Sequence, residues 1–164
     1  MDQAIAALIG SLLGAGATLL GARTNSSLQA RKHRRDDYLA FLDAIAAFDE
    51  AQNRFLRAFV NDRHPADRSL EETEVDRLVQ GLDTANFSIS AVLGRVYLAG
   101  PEPAADRARK MFFRTKTHAE WARSWRREYM LLAVPTDEIS RWQTSLRHMF
   151  VERTEFTALV RRRS

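Results

Sequence analysis

The sequence predicts an all-α chain: an N-terminal transmembrane helix followed by an up-down-up-down four-helix bundle. Three observations carry that prediction. Residues 3–22, QAIAALIGSLLGAGATLLGA, run without a single charge. Four later stretches repeat apolar residues at helical spacing and are joined by short Pro- or Gly-containing connections. No stretch alternates apolar and polar residues long enough to make a strand. The reading divides the chain into an anchor (1–22), a basic juxtamembrane segment (23–36) and a cytoplasmic helical bundle (37–164).

The uncharged run comes first. Twenty helical residues rise about 30 Å, the thickness of a bilayer's hydrocarbon core. Its glycines, Gly10, Gly14, Gly16 and Gly21, would each weaken a helix in water by about 1 kcal/mol relative to alanine. In lipid the backbone must satisfy its own hydrogen bonds, so glycine is tolerated better there. A cleaved signal peptide fits less well, because the chain opens Met-Asp rather than with a positive segment, and the run exceeds a usual signal core. A buried helix of a soluble complex is the other alternative. Arg23, Arg31, Lys32, Arg34 and Arg35 follow the run, while Asp2 is the one charge before it. Positive flanks stay cytoplasmic, which puts the N-terminus outside and the C-terminus in the cytoplasm. Ala7, Gly10, Gly14, Ala17 and Gly21 recur three or four apart, so they form one stripe along the helix. Such a stripe lets membrane helices pack closely and predicts a homo-oligomer.

Next comes Thr24-Asn25-Ser26-Ser27, where Ser26 with Gln29 matches a capping box and predicts a new helix running to about Val60. Tyr38, Phe41, Leu42, Ile45, Phe48, Phe55, Leu56 and Phe59 share its apolar face, on which Gln52 is the one polar member. The segment 61–67, with Pro65, is the turn. Ser69 and Glu72 then form a second capping box, opening a helix whose face holds Val75, Leu78, Val79, Leu82, Ile89, Val92, Leu93 and Val96. Gly100-Pro101 ends it, and Pro103 suits the first turn of a third helix carrying Met111, Phe112, Trp121, Trp125, Tyr129 and Leu132. After Pro135, Thr136 caps a fourth with Ile139, Trp142, Leu146, Met149, Phe150, Phe156 and Val160. The first soluble helix is the longest, so its basic start is expected to project as a stalk.

Composition narrows the chemistry. There is no cysteine, which excludes disulfides, thiolate metal sites and cysteine nucleophiles. No metal, cofactor or catalytic constellation emerges. The residues three before His33, His64, His118 and His148 are Ala30, Asn61, Thr115 and Ser145, so the Glu-x-x-His pairs of di-iron bundles are missing. Gly14-x-Gly16 has neither the strand nor the lysine of a nucleotide loop, and no Gly-x-Ser-x-Gly occurs. His148 and Glu152, one turn apart, read as a surface hydrogen-bonded pair rather than two ligands of a metal. His118 reads as a satisfied core residue. Trp121, Trp125 and Tyr129 sit four apart among Arg123, Arg126 and Arg127; the aromatics read as core and the arginines as a solvated face, which makes nucleic acid an unexpected partner.

In the layout LIGSLLGAGATLLGAR through RKHRRDDYLAFLDA the chain resembles a diffuse group of small single-pass membrane proteins of high-GC bacteria. These combine a Gly/Ala-rich membrane helix, an arginine-rich juxtamembrane segment and a helical cytoplasmic domain. The resemblance implies no activity and no functional residue.

Net charge is +4 at neutral pH, unevenly placed. Under the expected topology, residues 23–44, 84–117 and 149–164 gather at the membrane end and sum to +8, while the rest of the bundle sums to −3. Arg31, Lys32, Arg34, Arg35, Arg161, Arg162 and Arg163 are therefore the expected contacts to anionic lipid. The reading is a non-enzymatic, membrane-anchored interaction or scaffold protein, oligomeric, with an unspecified protein partner. Its rival is a pore-forming effector that assembles through the glycine stripe.

Overall fold

A computed structural model describes residues 2–61, 72–128 and 134–161, with side chains for 28–59, 72–98, 100–128 and 134–161. The described residues form four α-helices and no strand: α1 (Asp2–Leu56), α2 (Glu72–Ala99), α3 (Glu102–Glu128) and α4 (Thr136–Arg161). A π-helical turn, Arg57–Asn61, extends α1.

Contacts between the helices fix their directions. Arg95 of α2 faces Asp37 of α1, and Tyr38 of α1 packs on Phe156 of α4. Farther along, Phe55 of α1 stacks on Trp142 of α4, and Arg123 of α3 reaches Asp83 of α2. Each helix is thus antiparallel to its sequence neighbour, α1 is antiparallel to α4, and α1 runs parallel to α3. The up-down-up-down order read from the short connections holds.

The core is the meeting of the periodic faces. Phe41, Ile45, Phe48, Phe55 and Phe59 from α1 meet Val75, Leu82, Ile89 and Val96 from α2, all at 0–1% exposure. At that burial a phenylalanine or isoleucine contributes about 1.5–3 kcal/mol through removal from water. The third face is built differently. Besides Met111 and Trp125, α3 buries Ala104, Ala105, Ala108, Ala119 and Ala122. Alanine lacks bulk, so the large rings of α1 and α4 fill the space beside it. Trp142, Met149 and Phe156 are the buried residues of α4.

Three local expectations need correction. No helix begins at Ser26, because α1 is continuous from Asp2 to Leu56, about 80 Å of helix. The segment 24–27 contains neither proline nor glycine, and polar residues of modest propensity do not stop a helix by themselves. Thr136 is the first helical residue rather than the cap: the carbonyl of Pro135 accepts the first bond, from the amide of Ile139 at 3.1 Å. Phe150 does not join the core; it is 62% exposed, with the Arg153 guanidinium 5.8 Å from its ring centre. Ser69, Tyr129 and Leu132 lie outside the described residues.

The α2–α3 turn requires its glycine. A Cβ at Gly100 would lie 2.8 Å from both the Tyr38 hydroxyl and the Val96 carbonyl oxygen. Close approach to α1, rather than backbone strain, keeps glycine there. Pro101 then accepts from the amides of Ala104 and Ala105, starting α3.

Among the described residues no helix is long and apolar enough to cross a membrane. The run 3–22 belongs to α1, but its side chains, including the stripe Ala7, Gly10, Gly14, Ala17 and Gly21, lie outside the described ones.

Candidate functional site: a basic pole at one end of the bundle

Residues 28–33 of α1 are all exposed, and burial begins at Arg34 and becomes complete at Tyr38. Helix α1 therefore leaves the bundle at the end where α2 turns into α3 and where α4 finishes. A small cleft there is lined by Arg31, Arg34, Arg35 and Tyr38 from α1, Pro101 and Ala104 from the turn, and Leu159 and Val160 from α4. Arg31, Lys32 and Arg35 are exposed, while Arg34 is half-buried. The Arg34 Nε is buried without a hydrogen-bond partner. Arg161, one residue beyond Val160, is exposed. The structure thus brings Arg31, Arg34 and Arg35 beside the end of α4, over 120 residues away in sequence. Arg162 and Arg163 lie outside the described residues.

Arginines inside the bundle behave otherwise. Arg107 of α3 donates to Glu152 at 2.6 Å and also pairs with Glu155, both on α4. Arg153 of α4 donates to Asp49 of α1 at 2.6 Å. Burial pushes the Asp49 carboxyl up from its ordinary value, and the Arg153 charge opposes that. Among the described residues no ion pair forms at Arg31, Lys32, Arg34 or Arg35. Four cations on one helix turn and a half, none neutralised by a described residue, make this end of the bundle a positively charged pole.

His148 and Glu152 do not pair, contrary to expectation. The Glu152 carboxylate is taken by the Arg107 guanidinium of α3, in a charge-assisted bond of 2.6 Å. Among the described residues no group of histidines and carboxylates could hold a metal ion.

His118 is fully buried, as its stripe suggested, but only half satisfied. Its Nδ1 lies 2.6 Å from the Gln52 side-chain oxygen, so Nδ1–H donates there and Gln52 is explained as the one polar residue of its face. The other ring nitrogen, Nε2, has no partner. The ring stacks on Trp142 at 5.1 Å and lies 5.5 Å from Trp121. Burial, with help from the Arg114 charge, pushes its pKa down to about 4. The neutral imidazole is thus packed among the aromatic rings of the core.

The aromatic stripe of α3 divides as expected at Trp125, buried, and Trp121, half-buried. Its arginines do more than face solvent. Arg123 bonds Asp83, and Arg126 bonds Asp76 and Glu72, tying α3 to α2. Comparison with protein-family models, curated proteins and solved structures returns no match for this chain.

Proposed function

We propose that this chain is a membrane-anchored helical protein that presents its bundle as an interaction surface at the inner face of the cytoplasmic membrane. Residues 3–22 are its single membrane span, with the N-terminus outside. The observation that supports this most is the pole. Arg31, Arg34 and Arg35, without an ion pair among the described residues, sit at the end where α1 leaves the bundle and rises toward the uncharged run. Each arginine or lysine close to an anionic leaflet gains on the order of 1 kcal/mol. The small-residue stripe would pair two such spans, making the chain an oligomer.

Alkaline carbonate washing tests the anchor. The full chain is expected in the membrane pellet, and a variant lacking residues 1–22 in the supernatant. Full-length protein in the supernatant would end the proposal. The oligomer has its own test: Gly14→Ile should weaken crosslinking in membranes, because a β-branched side chain holds the backbones apart, while Leu13→Ile should not. Equal crosslinking of both variants would remove the stripe from the account.

A further inference from the structure

A groove lies between α3 and α4, away from the pole, with a volume of about 720 Å³. Its α3 wall is the stripe Lys110, Arg114, Thr117 and Trp121; its α4 wall is Arg141, Thr144, Ser145 and His148. The α3 positions recur at three or four residues, as do Arg141, Ser145 and His148 on α4, so each set shares one helix face. No aspartate or glutamate among the described residues lines the groove. That volume is typical of small-molecule sites.

Arg114 distinguishes this groove from an ordinary solvated face. It is half-buried, and among the described residues it forms no ion pair, a condition it shares with Arg34 at the pole, whereas the half-buried Arg107, Arg126 and Arg153 each have a carboxylate on another helix. Its Nε is buried without a partner. A partly desolvated, unpaired guanidinium is a vacancy for an anion, and its fork matches phosphate. Lys110 and Arg141 flank it, each paired among the described residues with a half-buried carboxylate on its own helix, Asp106 and Glu138 respectively. Among the described residues the Ser145 hydroxyl has no partner, so it can donate to an anion. The hydroxyls of Thr117 and Thr144 donate to the carbonyls of Phe113 and Ser140 and remain open as acceptors.

Trp121 supplies the other half. It is half-buried at the groove wall and backed by His118 and Trp142, which hold its ring in place. Trp121 is seven residues beyond Arg114, about 10 Å along the helix, on the same face. An anion at one end and a flat aromatic surface at the other describe one kind of ligand. We propose that the α3–α4 groove binds a soluble nucleotide, its phosphates on Arg114 with Lys110 and Arg141, its base on Trp121. A lipid headgroup is disfavoured by position: Arg114 stands ten residues, about 15 Å, along α3 from Ala104 at the pole.

Calorimetric titration of the full chain in detergent micelles with ADP, inorganic pyrophosphate and short-chain phosphatidate tests this. ADP should bind saturably with one site per chain, and pyrophosphate more weakly. Arg114→Gln should weaken ADP at least tenfold, and Arg114→Lys less. Trp121→Leu should reduce ADP to the affinity of pyrophosphate. Arg31→Gln, at the pole, should leave ADP binding unchanged. Should Arg114→Gln fail to fold, Ser145→Asp places a repelling charge in the same groove and should lower affinity by a similar factor. The proposal is overturned by absent ADP binding at millimolar concentration, by pyrophosphate binding as tightly as ADP, by equal loss in Arg31→Gln, or by phosphatidate binding more tightly than ADP through Arg114.

Discussion

Arginine does two different jobs in this molecule, and the difference between the bundle and its stalk shows what each requires. Between helices, Arg107, Arg123, Arg126 and Arg153 each meet a carboxylate on another helix at 2.5–2.9 Å. These bonds select partners and register at little net gain in stability, since exposed or half-exposed pairs contribute only about 0–1 kcal/mol. On the stalk, Arg31, Lys32, Arg34 and Arg35 meet none among the described residues. Asp36 and Asp37 follow immediately in sequence, yet Asp37 turns to Arg95 of α2 at 3.7 Å.

The sharpest way to separate the two regions is to damage the core and watch the pole. Trp125→Ala should cost about 3–5 kcal/mol, because Trp125 is 2% exposed and lies 4.7 Å from the Trp142 ring. Phe48→Ala should behave alike. A thermal melt shift no larger than that of Leu98→Ala, a substitution at 91% exposure, would show that the bundle is held together elsewhere.

Acid should act on the core next. The folded protein holds His118 neutral down to about pH 4, whereas an unfolded chain takes up that proton near 6.5. A lowered folded pKa on a base means stability is retained above the unfolded value and lost as pH falls from 6.5 toward 4. The loss is on the order of 3 kcal/mol at full extent. His118→Gln should flatten that part of the stability-against-pH curve. An unchanged slope in the variant would mean that another group titrates there.

The stalk should respond to lipid instead of to heat. In the form lacking residues 1–22, changing Arg31, Arg34 and Arg35 to glutamine should leave the melting temperature nearly unchanged. The same change should abolish binding to vesicles containing anionic lipid, which in the parent should weaken as salt rises. Replacing Arg153 with glutamine should do the reverse, lowering stability and sparing vesicle binding. If the stalk variant melts early and still binds vesicles, the division of labour is wrong.

Much of this architecture was legible in the sequence, and the exceptions have physical causes. The α1 and α2 faces were plain because large apolar residues such as Phe41, Phe48, Leu82 and Ile89 recur at helical spacing. The α3 face was half hidden. Alanine is as much at home on a surface as in a core, so Ala104, Ala108, Ala119 and Ala122 carried no signal. The capping box at Ser26 misled because it is a local preference, and a helix already propagating through it gains a bond per residue. Phe150 misled because one helix face is wide enough to seat Phe156 and Met149 but not every apolar neighbour. At the pole, the charges were legible from the run Arg31–Arg35, but their lack of partners was not. That depended on where Glu152, Glu155 and Asp49 turned, which only the packing of α4 decides.

The central claim is that the stalk leads into a membrane with the bundle on its cytoplasmic side, and single-cysteine labelling tests it most directly. The chain has no cysteine of its own, so a cysteine at position 2 or 164 is a unique reporter. In intact cells an impermeant maleimide should label Asp2→Cys and leave Ser164→Cys untouched until the cells are broken. Protection of both positions, or labelling of Ser164→Cys alone, would contradict the account.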